Sequence, residues 1–539
     1  MRPFYIAIVG VLLVITAAVA AGVASGDKDA AKPAVVEKSK FFKADEVKTS
    51  GAIRQGLLSL SYDAVAGTLV VHPQEWDDAA TDDKDAKAAG ADNPTAEASM
   101  FYVAYFRKGA NPGSRPIMFL FNGGPGSSTV WLHMGAFGPK RVVTADDTHT
   151  PAAPYQLVSN TQSLLDVSDL VFIDAPATGF SRIAGKDKEK MFFGVDPDAH
   201  AFASFIKQFL SKYGRWNSPK YLFGESYGTP RASVLVNELE TEDDIDFNGV
   251  ILLSQVLNFD LDVDGAESNP GVDLPYEVAL PTYAATAWYH HKLPGKQPDD
   301  LVPFVQQVER FAMTDYARAL SVGGSLSPNE RAAIAAKLHQ YTGLPVAYIL
   351  KADLRINGGE FEKTLQDNAN MTTGRLDTRF SGPTMDPLSK EADYDPQSAA
   401  ISSAYVSGFN AYVRSELKYG EGKTYKPEVD VFKFWSFLHK QPGAGFAFPG
   451  ATNVMPDLAS AMKYNPGLKV MVNGGYYDLA TPYYEGWYED HHLPIPPALQ
   501  KNIEYHYYRS GHMVYAHEES LKEIHDNIAA FVRGTDNVK

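Results

Sequence analysis

The segment Gly224-Glu225-Ser226-Tyr227-Gly228 constrains the fold of this chain more than any other. It follows the apolar run Tyr221-Leu222-Phe223 and leads directly into a helix-like stretch, Arg231 to Leu239. A serine between glycines at a strand-to-helix junction sits on a sharp, strained turn that keeps its hydroxyl exposed. Only very small residues two positions to either side let strand and helix approach that closely. The pattern predicts a strand-turn-helix unit and marks Ser226 as a candidate nucleophile. G-x-S-x-G also arises by chance in long chains, so the rest of the sequence has to supply what such a serine needs.

It needs a base, and where this turn occurs the acid and the histidine follow in the order Ser, Asp, His. Two late segments fit. Lys469-Val470-Met471-Val472 reads as a buried strand, and Asn473-Gly474-Gly475-Tyr476-Tyr477-Asp478 places an aspartate on a glycine-opened loop past its end. Ile503 to Tyr508 alternates like a last strand, and Ser510-Gly511-His512-Met513 follows it. Ser226, Asp478 and His512 are expected to meet above the carboxyl edge of one sheet. The plainer alternative makes Asp478 a turn residue and His512 a loop residue.

Upstream, Pro116 to Phe121 is a strand signal that runs into Asn122-Gly123-Gly124-Pro125-Gly126-Ser127-Ser128. Successive glycines leave backbone N-H groups unshielded, and such a loop can aim one at a developing oxyanion. The second donor in this arrangement is the N-H of the residue after the nucleophile, here Tyr227. Standing alone, the loop would read as a tight turn.

Strand signals recur at Met100 to Phe106, Ile117 to Phe121, Leu170 to Asp174, Tyr221 to Phe223, Val250 to Leu253, Lys469 to Val472 and Ile503 to Tyr508, while Leu57 to Val71 alternates about a turn as a hairpin would. Helical periodicity between several of them, as in Ala201 to Tyr213, predicts right-handed crossovers and a mostly parallel sheet. The stretch from about Pro270 to Phe446 breaks this rhythm. It holds helical patterns at Leu301 to Leu320, at Ser327 to Gln340 with Ser327-Pro328-Asn329-Glu330 as cap and first turn, and at Ser398 to Leu417. The expected organisation is a signal peptide over 1–24, a flexible leader over 25–49, a core over 50–269, a helical cap insertion over 270–446 and the rest of the core over 447–539.

Asn122 to Ser128, Gly138-Pro139, Asp174-Ala175-Pro176-Ala177-Thr178-Gly179-Phe180-Ser181, Gly224 to Gly228 and Gly511-His512-Met513 together resemble the signature blocks of the serine carboxypeptidases, the S10 peptidase family. The blocks stand in the family's order from about Phe101 onward. The resemblance implies an α/β-hydrolase fold, a mostly parallel central sheet with a helical cap. It implies Ser226 as nucleophile, His512 as general base and acid, Asp478 as its orienter, and an oxyanion hole from the N-H groups of Gly124 and Tyr227. It gives recognition of a substrate's C-terminal carboxylate to the Asn122 side chain, the Gly123 N-H and a protonated Glu225. That last role is chemically coherent, because a carboxylic acid donates a hydrogen bond only while it keeps its proton. Read from its own position alone, Glu225 is a solvated or capping acid at the head of a helix.

The chain departs from the family at three places. A second glutamate, which shares a proton with the one beside the serine, is usual two residues before the Gly-Pro, and here that position is Ala136. The usual cysteine after the glycine loop is Ser127, and the alanine often found after the elbow tyrosine is Gly228. These changes resemble a bacterial-type branch, and the missing acid puts the family's preference for acidic pH in doubt.

Cysteine is absent, so disulfides, a catalytic thiol and thiolate metal sites are excluded. A net charge of -16 argues against nucleic acid as a partner. The acidic stretch Asp77 to Glu97 reads as a flexible surface loop. Phe4 to Val23 is apolar and ends in Ala20-Ala21-Gly22-Val23-Ala24-Ser25, the pattern of a signal peptide cleaved near Ala20 or Ala24. The competing reading is an uncleaved anchor, since the stretch approaches bilayer-spanning length. Cleavage would leave a secreted or periplasmic protein with no stable membrane insertion.

His72-Pro73-Gln74-Glu75 matches the H-x-x-E spacing of zinc carboxypeptidases, but it has no downstream histidine context and reads as a chance match. His290-His291 and His491-His492 are adjacent pairs and read as surface or packing residues. No metal and no cofactor is expected. Aromatic residues near the expected site (Trp131, Tyr227, Tyr476, Tyr477, Tyr483, Tyr484, Trp487, Tyr515) are core or subsite walls. The function read from the sequence is a serine carboxypeptidase acting on peptide or small-protein C-termini through an acyl-enzyme. The alternatives are an esterase or acyltransferase on the same scaffold and a non-catalytic binding protein that keeps the fold. No oligomeric state follows from the sequence.

Overall fold

Alternate residues of the central strands feed two different apolar cores, as they must in a sheet covered on both faces. In the strand Ile117–Phe121, Met118 and Leu120 join one core while Ile117, Phe119 and Phe121 join the other. The computed structural model describes residues 41–55, 58–74, 76 and 94–538. The expected signal peptide and most of the expected leader lie outside the described residues, as does 77–93 of the acidic stretch. Among the described residues no helix is long and apolar enough to cross a membrane.

Ten strands form one sheet: β1 (Glu46–Gln55), β2 (Leu58–Val71), β3 (Glu97–Arg107), β4 (Ile117–Phe121), β5 (Asp169–Ile173), β6 (Arg182–Ala184), β7 (Lys220–Glu225), β8 (Gly249–Leu253), β9 (Lys469–Gly475) and β10 (Ile503–Tyr508). Their order is β1-β2-β3-β5-β4-β7-β8-β9-β10, with β6 paired to β3. From β5 across to β10 every neighbour is parallel. The β1-to-β3 end and its junction with β5 are antiparallel. The sheet is therefore mixed, with the parallel half carrying all the expected catalytic loops. The registers Phe121 with Gly224, Leu253 with Glu225 and with Asn473, and Gly475 with Tyr508 bring those loops out at one edge.

Three local expectations need correction. Leu57 to Val71 does not turn back on itself: β2 is one continuous strand of 14 residues, and its antiparallel partner is β1, with Gln55 opposite Leu58. Gly67 lies opposite Glu46, where a Cβ would overlap the Asp45 carbonyl. The same pairing shortens the flexible leader placed at 25–49, because β1 is already extended and paired from Glu46. Glu97, assigned to the acidic loop, opens β3 and is buried.

Helices cover both faces. On one lie α1 (Val195–Tyr213), α2 (Gly228–Thr241) and, farther along the chain, Met455–Tyr464; on the other lies the C-terminal helix Glu518–Thr535. Between β8 and β9 come α3 (Leu274–Tyr289), α4 (Leu301–Phe311), α5 (Pro328–Thr342) and α6 (Pro396–Ser415). The helical pattern at Leu301 to Leu320 is interrupted by a π turn at Ala312–Tyr316. Ser327 and Glu330 make the reciprocal cap expected of their spacing. Helices α3 to α5 enclose an apolar core of their own, whereas Ile401, Tyr405, Phe409 and Tyr412 of α6 pack into the main core. The inserted stretch is thus two things: a separate helical lobe, and a helix that is part of the body.

Candidate active site

The turn at Ser226 has the geometry its glycines allow. Ser226 adopts φ 61°, the left-handed region, and its N-H donates to the Leu253 carbonyl at 2.9 Å. A Cβ on Gly224 would overlap the Gly228 carbonyl, and one on Gly228 would lie 2.8 Å from the Phe121 carbonyl. Strand β7, helix α2 and the end of β4 meet here without room for a methyl group. Gly123 sits equally close to Tyr227, since a Cβ there would overlap the Tyr227 N atom. Gly124 has φ 104°. The glycine loop and the serine turn are therefore pressed together, with the backbone of Gly123 beside that of Tyr227.

A buried ion pair fixes this contact. Arg231 on α2 donates from Nε to Asp198 on α1 at 2.6 Å and from Nη2 at 3.2 Å, while its Nη1 donates to the Asn122 carbonyl at 2.7 Å. The glycine loop is held from its other side by Asp174, whose Oδ1 accepts the Thr129 N-H at 2.8 Å. Ser181 closes the same block by donating to the Asp174 carbonyl and accepting from the Phe101 N-H.

His512 follows β10 and Asp478 follows β9. His512 Nδ1 lies 2.8 Å from Asp478 Oδ2, and both side chains are buried. Asp478 Oδ1 accepts the N-H groups of Ala480 and Thr481 at 2.9 and 3.0 Å, so its orientation is set by its own loop. The Thr481 hydroxyl donates to Asp478 Oδ2 at 2.8 Å and lies 3.1 Å from His512 Nδ1. Burial disfavours the imidazolium, yet the charge and hydrogen bond of Asp478, with the charge of Glu225, outweigh it and raise His512 above its ordinary value.

Ser226 and His512 share one cavity of about 400 Å³, and Asn122, Gly123, Gly124, Glu225 and Tyr227 line it too. The eight candidate catalytic, oxyanion and carboxylate-binding residues are thus together, Asp478 standing behind His512. Glu225 is buried; desolvation pushes its carboxyl up to about 7, against the pull of His512, Tyr515 and Asn122. Asn122 Oδ1 accepts the Leu132 N-H at 3.1 Å, which assigns the amide and turns its NH2 toward Glu225 and Tyr515. Ala136 is buried in the π turn Leu132–Phe137.

Sequence reasoning missed two contributors, Thr481 and the segment Arg375–Arg379, and named Tyr515 only as a core or subsite aromatic. Tyr515 donates to both oxygens of Glu225, at 3.0 and 2.9 Å. Thr481 had no motif to mark it. The segment Arg375–Arg379, more than a hundred residues before His512, braces the histidine loop: the Leu376 carbonyl accepts the His512 N-H at 2.6 Å, and Asp377 Oδ2 accepts the Gly511 N-H at 3.1 Å. Asp377 is itself paired with buried Arg379 at 2.6 Å. The signal for these contacts is spatial, with no local spacing to betray it.

The cavity wall also differs from a simple helical lid. Arg375 and Leu376, the start of α6 at Gln397 to Ser402, and Glu428, Phe432 and Phe437 form it, and among the described residues none of α3 to α5 does. Of the aromatic candidates, Trp131 and Tyr227 line the cavity and Tyr515 meets Glu225, whereas Tyr476, Tyr477, Tyr483, Tyr484 and Trp487 pack around the acid loop and the helix after it. Glu75 of the H-x-x-E match lies outside the described residues, and His72 stacks on Trp76. The members of each adjacent histidine pair reach different partners: His290 to the Thr378 carbonyl and His291 to Gln297, His491 to the Trp487 carbonyl and His492 to that of Tyr488.

Comparison with known proteins agrees with this geometry. Residues 91–290 match the family model "Serine carboxypeptidase". Serine carboxypeptidase-like 16 of Arabidopsis thaliana is 30% identical over 180 residues, which are 31% of this chain and 39% of that protein. The pheromone-processing carboxypeptidase KEX1 of Cryptococcus gattii is 29% identical over 157 residues, 28% of this chain and 22% of that protein. The matched part thus spans well under half the length of these relatives. Among solved structures, the prohormone-processing carboxypeptidase KEX1 of Saccharomyces cerevisiae superimposes with a TM-score of 0.52 at 15% identity, covering 88% of this chain and 91% of that one, which establishes a shared fold. The part of the chain that resembles the serine carboxypeptidase family, residues 91–290, contains both the glycine loop and the serine turn.

Proposed function

We propose that the protein is a serine carboxypeptidase that releases C-terminal residues from peptides through an acyl-enzyme. The observation that carries this reading is a single cavity lined by Ser226 and His512 together with Asn122, Gly123 and Glu225, a set suited to a carboxylate. Ser226 attacks the last peptide carbonyl and passes its proton to His512, which returns it to the leaving amine. Asp478 holds the imidazole tautomer with Nδ1-H toward itself. The N-H groups of Gly124 and Tyr227 receive the oxyanion. Asn122, Gly123 and protonated Glu225 hold the substrate carboxylate. The insertion 270–446 governs access through the loop at 375–376, the start of α6 and the stretch 428–437, all of which wall the cavity. Export, with cleavage near Ala20 or Ala24, is supported by the N-terminal apolar stretch and its small-residue end, and N-terminal sequencing of the mature protein checks it.

The test is hydrolysis of an N-acyl dipeptide beside its C-terminal amide, with Ser226→Ala and His512→Ala as controls. The free acid should be cleaved and the amide poorly. Either variant should lose about 10,000-fold or more in kcat while remaining folded. Equal handling of acid and amide, or retained turnover in Ser226→Ala, rejects the assignment.

A further inference from the structure

We propose that Tyr515 is a positioning residue that acts through Glu225 to set the pH range over which the cavity holds a peptide's C-terminal carboxylate. The inference rests on the carboxypeptidase reading above and adds to it a residue that touches no reacting atom.

With Glu225 ionised, the hydrogen bonds around Tyr515 run in one direction. Asn122 Oδ1 is occupied by the Leu132 N-H, so Asn122 offers its NH2 to the Tyr515 oxygen and to Glu225. The Tyr515 hydroxyl, accepting there, aims its own proton at Glu225, where it sits nearly equidistant from Oε1 and Oε2. A donor shared across both oxygens suits an ionised carboxylate, which only accepts. A bound peptide carboxylate is also acceptor-only and requires the opposite, a Glu225 that donates. The protein's own partner therefore favours the anion and the ligand favours the acid, and the occupied cavity must take up a proton that the empty one tends to release.

Tyr515 has little freedom to leave. It is buried on the turn Val514–Ala516, and its ring fills the space against Gly135, where a Cβ would meet both Tyr515 and Tyr405. The titratable groups facing Glu225 are His512 and Asp478 from the loops after β10 and β9, Tyr405 from α6, and Tyr515 itself. Positive charge on His512 favours the Glu225 anion and Asp478 opposes it. Burial and the neighbouring Glu225 charge keep Tyr515 neutral, hence a donor, throughout the working range.

The experiment measures KM and kcat for an N-acyl dipeptide with a free C-terminus from about pH 5 to 9, with active sites counted by organophosphonate titration. Wild type should show KM rising tenfold per pH unit above its midpoint, the slope of one proton. Tyr515→Phe should move that midpoint up by about one unit, the size of one hydrogen bond to a carboxylate, with the kcat profile in place. Glu225→Gln should flatten the KM limb, and adding Tyr515→Phe to it should move nothing. An unmoved midpoint in Tyr515→Phe, or a KM raised equally at every pH, overturns the proposal and leaves Tyr515 as packing. A two-proton slope in wild type overturns it without any variant, because a second acid would then share the site. If wild type does not distinguish the acid from its amide, the carboxypeptidase reading itself fails instead.

Discussion

Arg231 and Asp198 form a two-pronged ion pair inside the protein, and the guanidinium's third contact is the carbonyl of Asn122. Both side chains are about 99% excluded from solvent. The pair joins α1, α2 and the glycine loop at one point. Removing one partner of such a pair strands the other charge, at a cost of about 3–5 kcal/mol. Arg231→Met should therefore lower stability by about that much in urea denaturation, and Arg231→Met with Asp198→Leu should recover part of the loss. A single variant within 1 kcal/mol of wild type would show that the pair carries little.

Thr481 gives Asp478 Oδ2 a donor beside His512 Nδ1. Thr481→Val keeps the shape and removes that hydroxyl. One hydrogen bond to a charged group is worth about 1.5–3 kcal/mol, so kcat/KM should fall about tenfold or more, while Thr481→Ser retains most activity. Steady-state kinetics on the two variants, with thermal melts as a fold check, decides between them. Equal loss in both would shift the cause to the threonine methyl group.

The pH profile follows from two groups of opposite requirement. His512 must be neutral to accept the serine proton, and its raised value puts the acid limb of kcat above the ordinary 6.5 of histidine. Glu225 must be protonated to hold a carboxylate, so KM should worsen as pH climbs through about 7. The product is a narrow bell for kcat/KM near neutrality, whose limbs belong to the coupled site. Substrates with an amide C-terminus should lack the alkaline limb. A broad optimum well below pH 6 would contradict both shifts.

His439 lies between two carboxylates, 2.5 Å from Asp196 and 2.8 Å from Asp457. Desolvation works against its charge, but hydrogen bonds to both carboxylates raise it to about 9. Because the folded value lies above the unfolded one, its stabilisation is complete below about pH 6.5 and is lost as pH rises through about 9. His439→Gln should cost on the order of 2 kcal/mol at pH 6, and the gap should narrow above pH 9. A pH-independent difference would mean that His439 contributes packing alone. Since Phe432 and Phe437 of the same stretch wall the cavity, peptide KM should report the change as well.

The sequence disclosed the parallel half of the sheet well, because strands such as Gly249–Leu253 are buried on both faces and read as unbroken apolar runs. Positions around Ser226, Asp478 and His512 were legible for a related reason: each is announced by a glycine at or shortly past the end of a strand. The antiparallel end was harder, since a single 14-residue strand paired with its predecessor alternates as a hairpin does. Asp377 and the bond from Tyr515 to Glu225 were invisible because such contacts reach across as many as 290 residues, and Thr481 because a threonine in a loop has no motif that betrays its partner. The double character of the insertion was hidden too: α6 has the same helical period as α4 or α5, and only packing reveals which core it joins.

The brace from Leu376 and Asp377 to the histidine loop has an evolutionary and engineering consequence. Lids on this type of scaffold are attractive modules to exchange when a new specificity is wanted. Here a wholesale exchange of the insertion would carry away the carbonyl and carboxylate that seat His512, and the transplanted enzyme would lose its base along with its old lid. A viable chimera would graft the lobe of α3 to α5 alone, with junctions placed before Arg375.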